Sequence, residues 1–294
     1  MEFFKLELDN IESLRPFFSE NPCRICDFTI GGTFMWRDFF KTQYAIQDSV
    51  LYLKVKHPSA GDAFTLPICD EPGRDAYERI INYCKENGLP TRICSVSEGM
   101  REHVLALFPD ASSYTDRAWS DYLYYAEDIK TLSGRKFSGQ RNHINRFMRE
   151  QDDWAFERVT QGNIAAVRAF FAGYEIEHSK DSAAYEEGDR KAIEVIDNLE
   201  LYGQVGGALF VGGKVVGASF GEVVNDTLYV HIEKADTAVH GAYPVLVNQF
   251  AKAFATEDVL FINREEDDGV EGLRTSKLSY HPTEILDKYI VELA

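Results

Sequence analysis

The stretch 227–254, TLYVHIEKADTAVHGAYPVLVNQFAKAF, constrains the fold more than any other part of the chain, because it reads as a strand, a short glycine-containing loop and a helix. Leu228, Val230 and Ile232 alternate with Tyr229, His231 and Glu233, the two-residue period of a strand with one apolar and one polar face. The polar face is expected to line a cleft. Beyond Gly241, the residues Tyr243, Leu246, Val247, Phe250, Ala251 and Phe254 recur at helical spacing, the stripe of a helix lying on a sheet. Pro244 falls in the first turn, where a missing N–H costs nothing. A helix starting just past a glycine at the carboxyl end of a strand offers unpaired N–H groups and the positive end of its dipole, which favours an anion. Gly241 and Tyr243 are therefore candidate anion-binding positions, and His231 and Glu233 candidate site residues on the strand.

At 294 residues the chain is longer than one typical core, so two domains are expected, 1–128 and 129–294, with a soft boundary. A hydrophobic content of 45% and an aromatic content of 13% suit a sizeable core and exclude general disorder. The net charge of −17 argues against general nucleic-acid binding and against adhesion to anionic membranes, so a polyanionic partner must meet a local basic patch. One such patch exists: 129–149 contains no acid but carries Lys130, Arg135, Lys136, Arg141, Arg146 and Arg149. On a helix Arg141 shares the face of Ile144 and Met148, so it points inward, either to grip a phosphate or to pair with an internal carboxylate. The opening MEFFKLELDN does not look like a signal peptide, and no apolar run approaches the roughly 18 residues of a membrane helix. Five scattered cysteines suit a reducing cytoplasm. Cys23 and Cys26 form one CxxC without a second pair, so no metal centre is expected.

The first half opens with a strand at 3–8 and a helix at 10–19, followed by the aromatic segment 28–40, read as core packing. A hairpin is expected at 44–46 and 50–55 with a third strand at 64–68, then helices at 74–86 and 98–107 around a strand at 91–94, and a closing segment at 119–125. In the second half, helices are expected at 138–151, 163–177 and 185–199, then a meander at 207–211, 214–223 and 227–234 turning at Gly212-Gly213 and Asn225-Asp226. After the helix 243–254 come a strand at 259–263, a short helix at 271–279 and a last strand at 284–291. Asn263 and Arg264 lead into four consecutive acids whose spacing is not that of a calcium loop; they read as an acidic loop satisfied by Arg264 and the next helix start. Arg274, Lys277 and Tyr280 follow at i, i+3 and i+6, so the two cations share a helix face and Tyr280 lies near its end.

This order of elements resembles the GNAT acyltransferase fold. HIEKAD at 231–236, GAY at 241–243, FINREEDDGVEGLRTSKLSYHP at 261–282 and SGQRNHINRF at 138–147 are similar to a bacterial family resembling the C-terminal domain of phosphatidylglycerol lysyltransferase, related to the Fem aminoacyl transferases. The resemblance implies an α/β (α+β) chain of two tandem GNAT-like units, with mixed, mostly antiparallel sheets flanked by helices. The first unit would be degenerate and the second would carry the cleft. It implies transfer of an aminoacyl group from charged tRNA, or of an acyl group from a thioester such as acyl-coenzyme A, to an amine or hydroxyl of a small molecule or lipid head group. Such chemistry needs a base, a held oxyanion, a proton for the leaving group and a grip on a phosphate-bearing donor. Glu233 is the candidate base, Tyr280 the acid and Lys277 the oxyanion holder; Arg141, Asn142, Arg274, Asn263 and Arg264 are candidates for substrate or anion binding. No tightly bound cofactor is expected. Two other readings stay open: a coenzyme A-dependent N-acetyltransferase, although the loop 235–241 lacks the usual arginine and glycine pattern, and a non-catalytic binding protein. No GxSxG elbow, P-loop or GxGxxG is present.

Overall fold

Turn residues decide where the strands of this protein begin. A computed structural model describes residues 1–19, 23–178 and 183–293. Asp48 and Ser49, both at positive φ, close one hairpin, and Gly212-Gly213 at φ +55° and +74° close another, the left-handed pair that matches strand twist. In chain order the strands are β1 (Phe4–Lys5), β2 (Gln43–Gln47), β3 (Val50–His57), β4 (Gly61–Thr65), β5 (Arg92–Val96), β6 (Ser112–Thr115), β7 (Asp121–Tyr125), β8 (Trp154–Arg158), β9 (Val205–Val211), β10 (Lys214–Val224), β11 (Thr227–Ala235), β12 (Phe261–Asn263), β13 (Glu284–Leu286) and β14 (Tyr289–Glu292). The helices are α1 (Ile11–Ser19), α2 (Ile30–Met35), α3 (Arg74–Asn87), α4 (Glu98–Leu107), α5 (Ala126–Thr131), α6 (Ser138–Glu150), α7 (Ile164–His178), α8 (Ala183–Asp197), α9 (Leu199–Tyr202), α10 (Ala242–Phe254) and α11 (Glu271–Leu278).

Two units result, one of 1–121 with 266–269 and 286–294, the other of 122–265 with 270–285. The first holds a sheet in the order β1-β2-β3-β4-β5-β14-β6, the second a sheet in the order β13-β7-β12-β11-β10-β9-β8. Both are mostly antiparallel, with parallel pairs at β4/β5 and β11/β12. This is the mixed α/β class, sheets flanked by helices, expected from the sequence. Two expectations need correction. The last strand at 284–291 is two strands, β13 in the second sheet and β14 between β5 and β6 of the first. Consequently the chain returns to the first unit at its end, and a single cut at 128/129 does not describe its path. The strands β6 and β8 gave no periodic signal and were not expected.

In the second unit α10 lies on the sheet as its stripe requires. Val247, Phe250, Ala251 and Phe254 pack with Leu228, Val230, Ile262 and Ile129 in one buried cluster. Burying each large apolar side chain contributes about 1.5–3 kcal/mol, so this face fixes the helix against β11.

The alternation along β11, however, is interrupted. Ile232 pairs with Phe220 and Val230 with Gly221, so His231 is an extra residue facing no partner of its own on β10. Such a bulge reverses which face later residues take. Glu233 accordingly joins Leu228 and Val230 on the α10 side, lining one small cavity with Val247 and Phe250. The expectation that Tyr229, His231 and Glu233 share a face is thereby corrected. Gly221 permits the bulge, since a Cβ there would stand 2.1 Å from the Tyr229 carbonyl oxygen. Gly221→Ala should destabilise the fold by about 1–3 kcal/mol or more by overpacking, measured by chemical denaturation. Gly139→Ala on α6, where a Cβ meets nothing within 4 Å, should be neutral or stabilising; equal losses in both variants would contradict this account of the bulge.

Candidate functional site

The sequence-derived candidates gather in part at the ends of β11 and β12. Arg264, next after β12, donates from Nη2 to Glu233 Oε1 at 2.6 Å, and both side chains are largely buried, at 7% and 15% exposure. The guanidinium lies over the Tyr280 ring at 4.8 Å and the Tyr124 ring at 5.8 Å. Burial opposes the charge on Arg264, but the Glu233 carboxylate and the two phenols more than offset it and raise its pKa. Burial pushes the Tyr280 phenol up as well, so it stays protonated. Arg264 Nη1 is buried with no hydrogen-bond partner, as is Ser219 Oγ, whose residue pairs with Glu233 across β10 and β11. Arg264 and Glu233 together line the cavity under α10, whose free volume of about 10 Å³ admits a water-sized group. Lys277 does not face this cavity with a free charge: its Nζ donates to the carbonyl oxygens of Arg264 at 2.6 Å and Glu265 at 3.2 Å. It holds the loop. Asn263 does the same from the other side, its Oδ1 accepting from Glu265 N at 2.7 Å.

The remaining candidates lie elsewhere in the second unit. Arg141 donates to the carbonyl oxygens of Leu132 and Gly134, so it ties down the turn after α5 instead of pairing with an internal carboxylate. Asn142 is exposed on α6, and Arg274 is half-buried on α11. Gly241 has φ +80°, and a Cβ there would stand 2.6 Å from the His143 carbonyl oxygen, so α6 packs against the start of α10. The first helical N–H, of Ala242, is taken by the Val239 carbonyl. Tyr243 meets Tyr174 hydroxyl to hydroxyl at 3.4 Å. The basic island is largely matched nearby: Lys130 pairs with Glu127, Lys136 with Asp128 and Arg146 with Glu150.

A second polar cluster, in the first unit, was missed from the sequence. The buried Lys288 Nζ sits 2.6 Å from Asp27 Oδ2, 2.7 Å from Asp121 Oδ1, 3.2 Å from Glu266 Oε2 and 3.3 Å from Cys26 Sγ. Ser95 Oγ donates to Asp27 Oδ1 at 2.5 Å, and Cys26 N donates to Asp121 Oδ2 at 2.8 Å. Burial pushes the Asp121 carboxyl up to about 7, helped by Glu266 and Asp27 and resisted by Lys288. Burial opposes the Lys288 charge, yet the surrounding acids raise its pKa well above the ordinary value. The sulfur of Cys26 and oxygens of Asp121 and Glu266 lie within 4.8 Å of one another, a spacing that can suit a metal ion. The ammonium of Lys288 bonds those same groups. The available signal was an acid and a lysine, Asp121 and Lys288, each set directly beside apolar strand residues.

His231 forms a third cluster. Its Nδ1 lies 2.7 Å from Glu265 Oε1 and its Nε2 2.9 Å from Glu222 Oε1, with the ring 1% exposed and stacked on Tyr229. Two carboxylate acceptors require both ring nitrogens to carry protons. Burial works against the charge, but the Glu222 and Glu265 hydrogen bonds raise the pKa from 6.5 to about 10. A cation held this way is not a neutral base at pH 7. Because the folded value is raised, the contribution of His231 to stability is full below pH 6.5 and is lost as pH rises through about 10, at about 1.4 kcal/mol per pH unit between. Nitrogen-15 NMR should show both ring nitrogens of His231 protonated at pH 8; a neutral tautomer there would contradict the geometry.

Known proteins agree with this architecture. A conserved protein of unknown function from Bacteroides thetaiotaomicron is 32% identical, covers 100% of each chain and superposes with a TM-score of 0.92. The C-terminal domain of a putative lysylphosphatidylglycerol synthetase from Agrobacterium fabrum shares the fold at 12% identity, covering 97% of this chain and 92% of that one, with a TM-score of 0.70. L-PGS from Bacillus licheniformis does so at 14% identity, covering 96% and 91%, with a TM-score of 0.65. An uncharacterised protein of Mycoplasmoides gallisepticum is 26% identical over 176 residues, 59% of this chain and 56% of that protein, so the chain spans about half the length of the curated relative it matches. No helix among the described residues is long and apolar enough to cross a membrane. The family described as phosphatidylglycerol lysyltransferase, C-terminal, matches residues 22–292, and the chain belongs to that family.

Proposed function

We propose that the protein transfers an aminoacyl or acyl group from an activated ester, such as a charged tRNA, or from a thioester, to an amine or hydroxyl acceptor. Family membership supports the reaction class, and the observation that carries it is the Glu233–Arg264 pair with one guanidinium nitrogen, Nη1, left without an acceptor. An unpaired buried donor costs about 1–3 kcal/mol, and an incoming carbonyl oxygen that accepts from it removes that cost. In this reading the donor's carbonyl oxygen takes the Arg264 Nη1–H, which then stabilises the oxyanion as the nucleophile adds. Glu233, ion-paired with its arginine, accepts the proton that the attacking amine or hydroxyl loses. Tyr280, kept protonated by burial, supplies the proton that the departing oxygen or sulfur requires. Lys277 and Asn263 keep the loop carrying Arg264 in place, so they act on position. Arg141 and the exposed Arg135 and Arg149 lie in the basic stretch that a phosphate-bearing donor can follow.

Purified protein should release and transfer label from a mixture of charged tRNAs with cell extract as acceptor. Glu233→Gln should cut turnover by about 10²–10⁴ while donor binding, followed by filter retention, is kept. Consumption of labelled acetyl-coenzyme A with no tRNA deacylation would move the donor to the thioester class. Turnover equal in wild type and Glu233→Gln would remove Glu233 from the chemistry, and silence with both donors would favour a binding protein.

A further inference from the structure

The first unit contains a cavity that the reading above does not use. It has a volume of about 30 Å³, and Trp36, Phe40 and Trp119 wall it together with His57. Asp27, Asp116 and Glu266 also line it, and the cation of its lining is Lys288. That ammonium is further matched from behind by Asp121 at 2.7 Å. Three carboxyl groups line the space, two of them paired with the one ammonium, so acids outnumber cations there. An anion is repelled there, and a neutral apolar molecule gains nothing from the acids. His57 adds no positive charge near neutrality, since burial lowers its pKa, and its Nδ1 accepts from Ser59 N at 3.1 Å, which leaves the proton on Nε2.

The aromatic walls are independent of the charges and select among cations. Phe40 and Trp119 lie 6.2 Å apart, and Trp119 lies 5.1 Å from His57, so several rings surround one small volume. Ring faces attract organic ammonium groups, whereas hard ions such as Ca²⁺ and Mg²⁺ prefer oxygen ligands and gain nothing from the rings. Lys288 shows the recognition mode directly, an ammonium on Asp27 and Glu266 at hydrogen-bond distance. A metal ion on Cys26, Asp121 and Glu266 would have to displace it. A second cavity of about 40 Å³ shares Asp27, Phe40 and His57 with the first and is otherwise lined by groups such as Leu53, Val55 and Cys94. The second cavity thus borders the first and adds Leu53 and Val55 among Thr33, Thr42 and Thr65.

We propose that this cavity binds a small primary alkylammonium ion, its head among Asp27, Asp116 and Glu266 against the aromatic rings, and its short alkyl tail toward Leu53 and Val55. The site belongs to the unit expected to be degenerate, and it stands or falls separately from the Glu233 chemistry.

The test is calorimetric titration of the full chain with n-propylammonium chloride at constant ionic strength, with 1-butanol, one methylene longer, as the neutral comparator and propionate as the anion. Saturable binding of the ammonium, at least tenfold tighter than 1-butanol and absent for propionate, is expected. Glu266→Gln and Trp119→Leu should each weaken it at least tenfold with an unchanged circular dichroism spectrum. If Trp119→Leu fails to fold, Trp119→Phe, which keeps a ring, should stay within threefold of wild type. No saturation, equal affinity for 1-butanol, or an ammonium affinity untouched by Glu266→Gln would overturn the proposal. So would Mn²⁺ binding lost in Glu266→Gln with no ammonium bound, which would make the cluster a metal site.

Discussion

The extra residue in β11 opposite Gly221 decides what the charged groups of the second unit can reach. Up to Val230 the strand turns Leu228 and Val230 toward α10 and Tyr229 toward Glu222, its partner on β10. Past the bulge at His231 the sides exchange, and Glu233 arrives on the helix side, where Arg264 meets it. Without the insertion, Glu233 would follow His231 onto the face that already holds Glu222, and Arg264 would be left beneath α10 without a counter-ion. A buried cation stripped of its partner costs about 3–5 kcal/mol, so the register and the ion pair each require the other. Gly221 is the point at which the backbone allows both.

Charge burial elsewhere in the chain follows the same rule of local matching. The run Arg264 to Asp267 looks like one acidic loop, but each member is drawn to a different partner. Arg264 goes to Glu233, Glu265 to His231, Glu266 to Lys288 and Asp267 to Arg117 at 3.6 Å. Glu265 reaches its histidine from a left-handed backbone at φ +55°, which the Asn263 side chain supports. Buried ion pairs add little net stability over apolar packing, but breaking one is expensive. Their effect is to fix where each loop residue can sit.

Much of the fold was legible because it rests on local rules. The stripe of α10, the glycine pair at 212–213 and the Asn225 turn each state their structure within a few residues, and the elements formed close to the expected bounds. The bulge was not legible, since strand periodicity assumes an uninterrupted count of two and a lone glycine on the neighbouring strand does not announce a shift on this one. Nor was the split between β13 and β14, because two short strands separated by Asp287 and Lys288 read as a single run. The placement of the candidate residues was legible only in part. Arg264, Glu233 and Tyr280 do come together, whereas Lys277, read as an oxyanion holder, and Arg141, read as gripping a phosphate or pairing with an internal carboxylate, direct donors to backbone carbonyls. The Lys288 cluster joins positions 26, 27, 121, 266 and 288, and no spacing rule connects residues so far apart.

The two clusters that lie against cavities differ in charge balance, and that difference separates what each can hold. Glu233 and Arg264 neutralise one another and leave the Nη1 nitrogen without an acceptor, so what this pair can still take is an acceptor oxygen rather than a charge. Around Lys288 the carboxyl groups outnumber the cation, and the nearby surface is aromatic, so the group that completes them is positive. A lysine in place of Arg264 would keep the first balance but lose the planar fork that serves Glu233 and a second acceptor together. An arginine in place of Lys288 would bring five donors in a planar fork where a compact ammonium now meets oxygens of three carboxylates. Each position therefore carries the cation whose shape its partners demand.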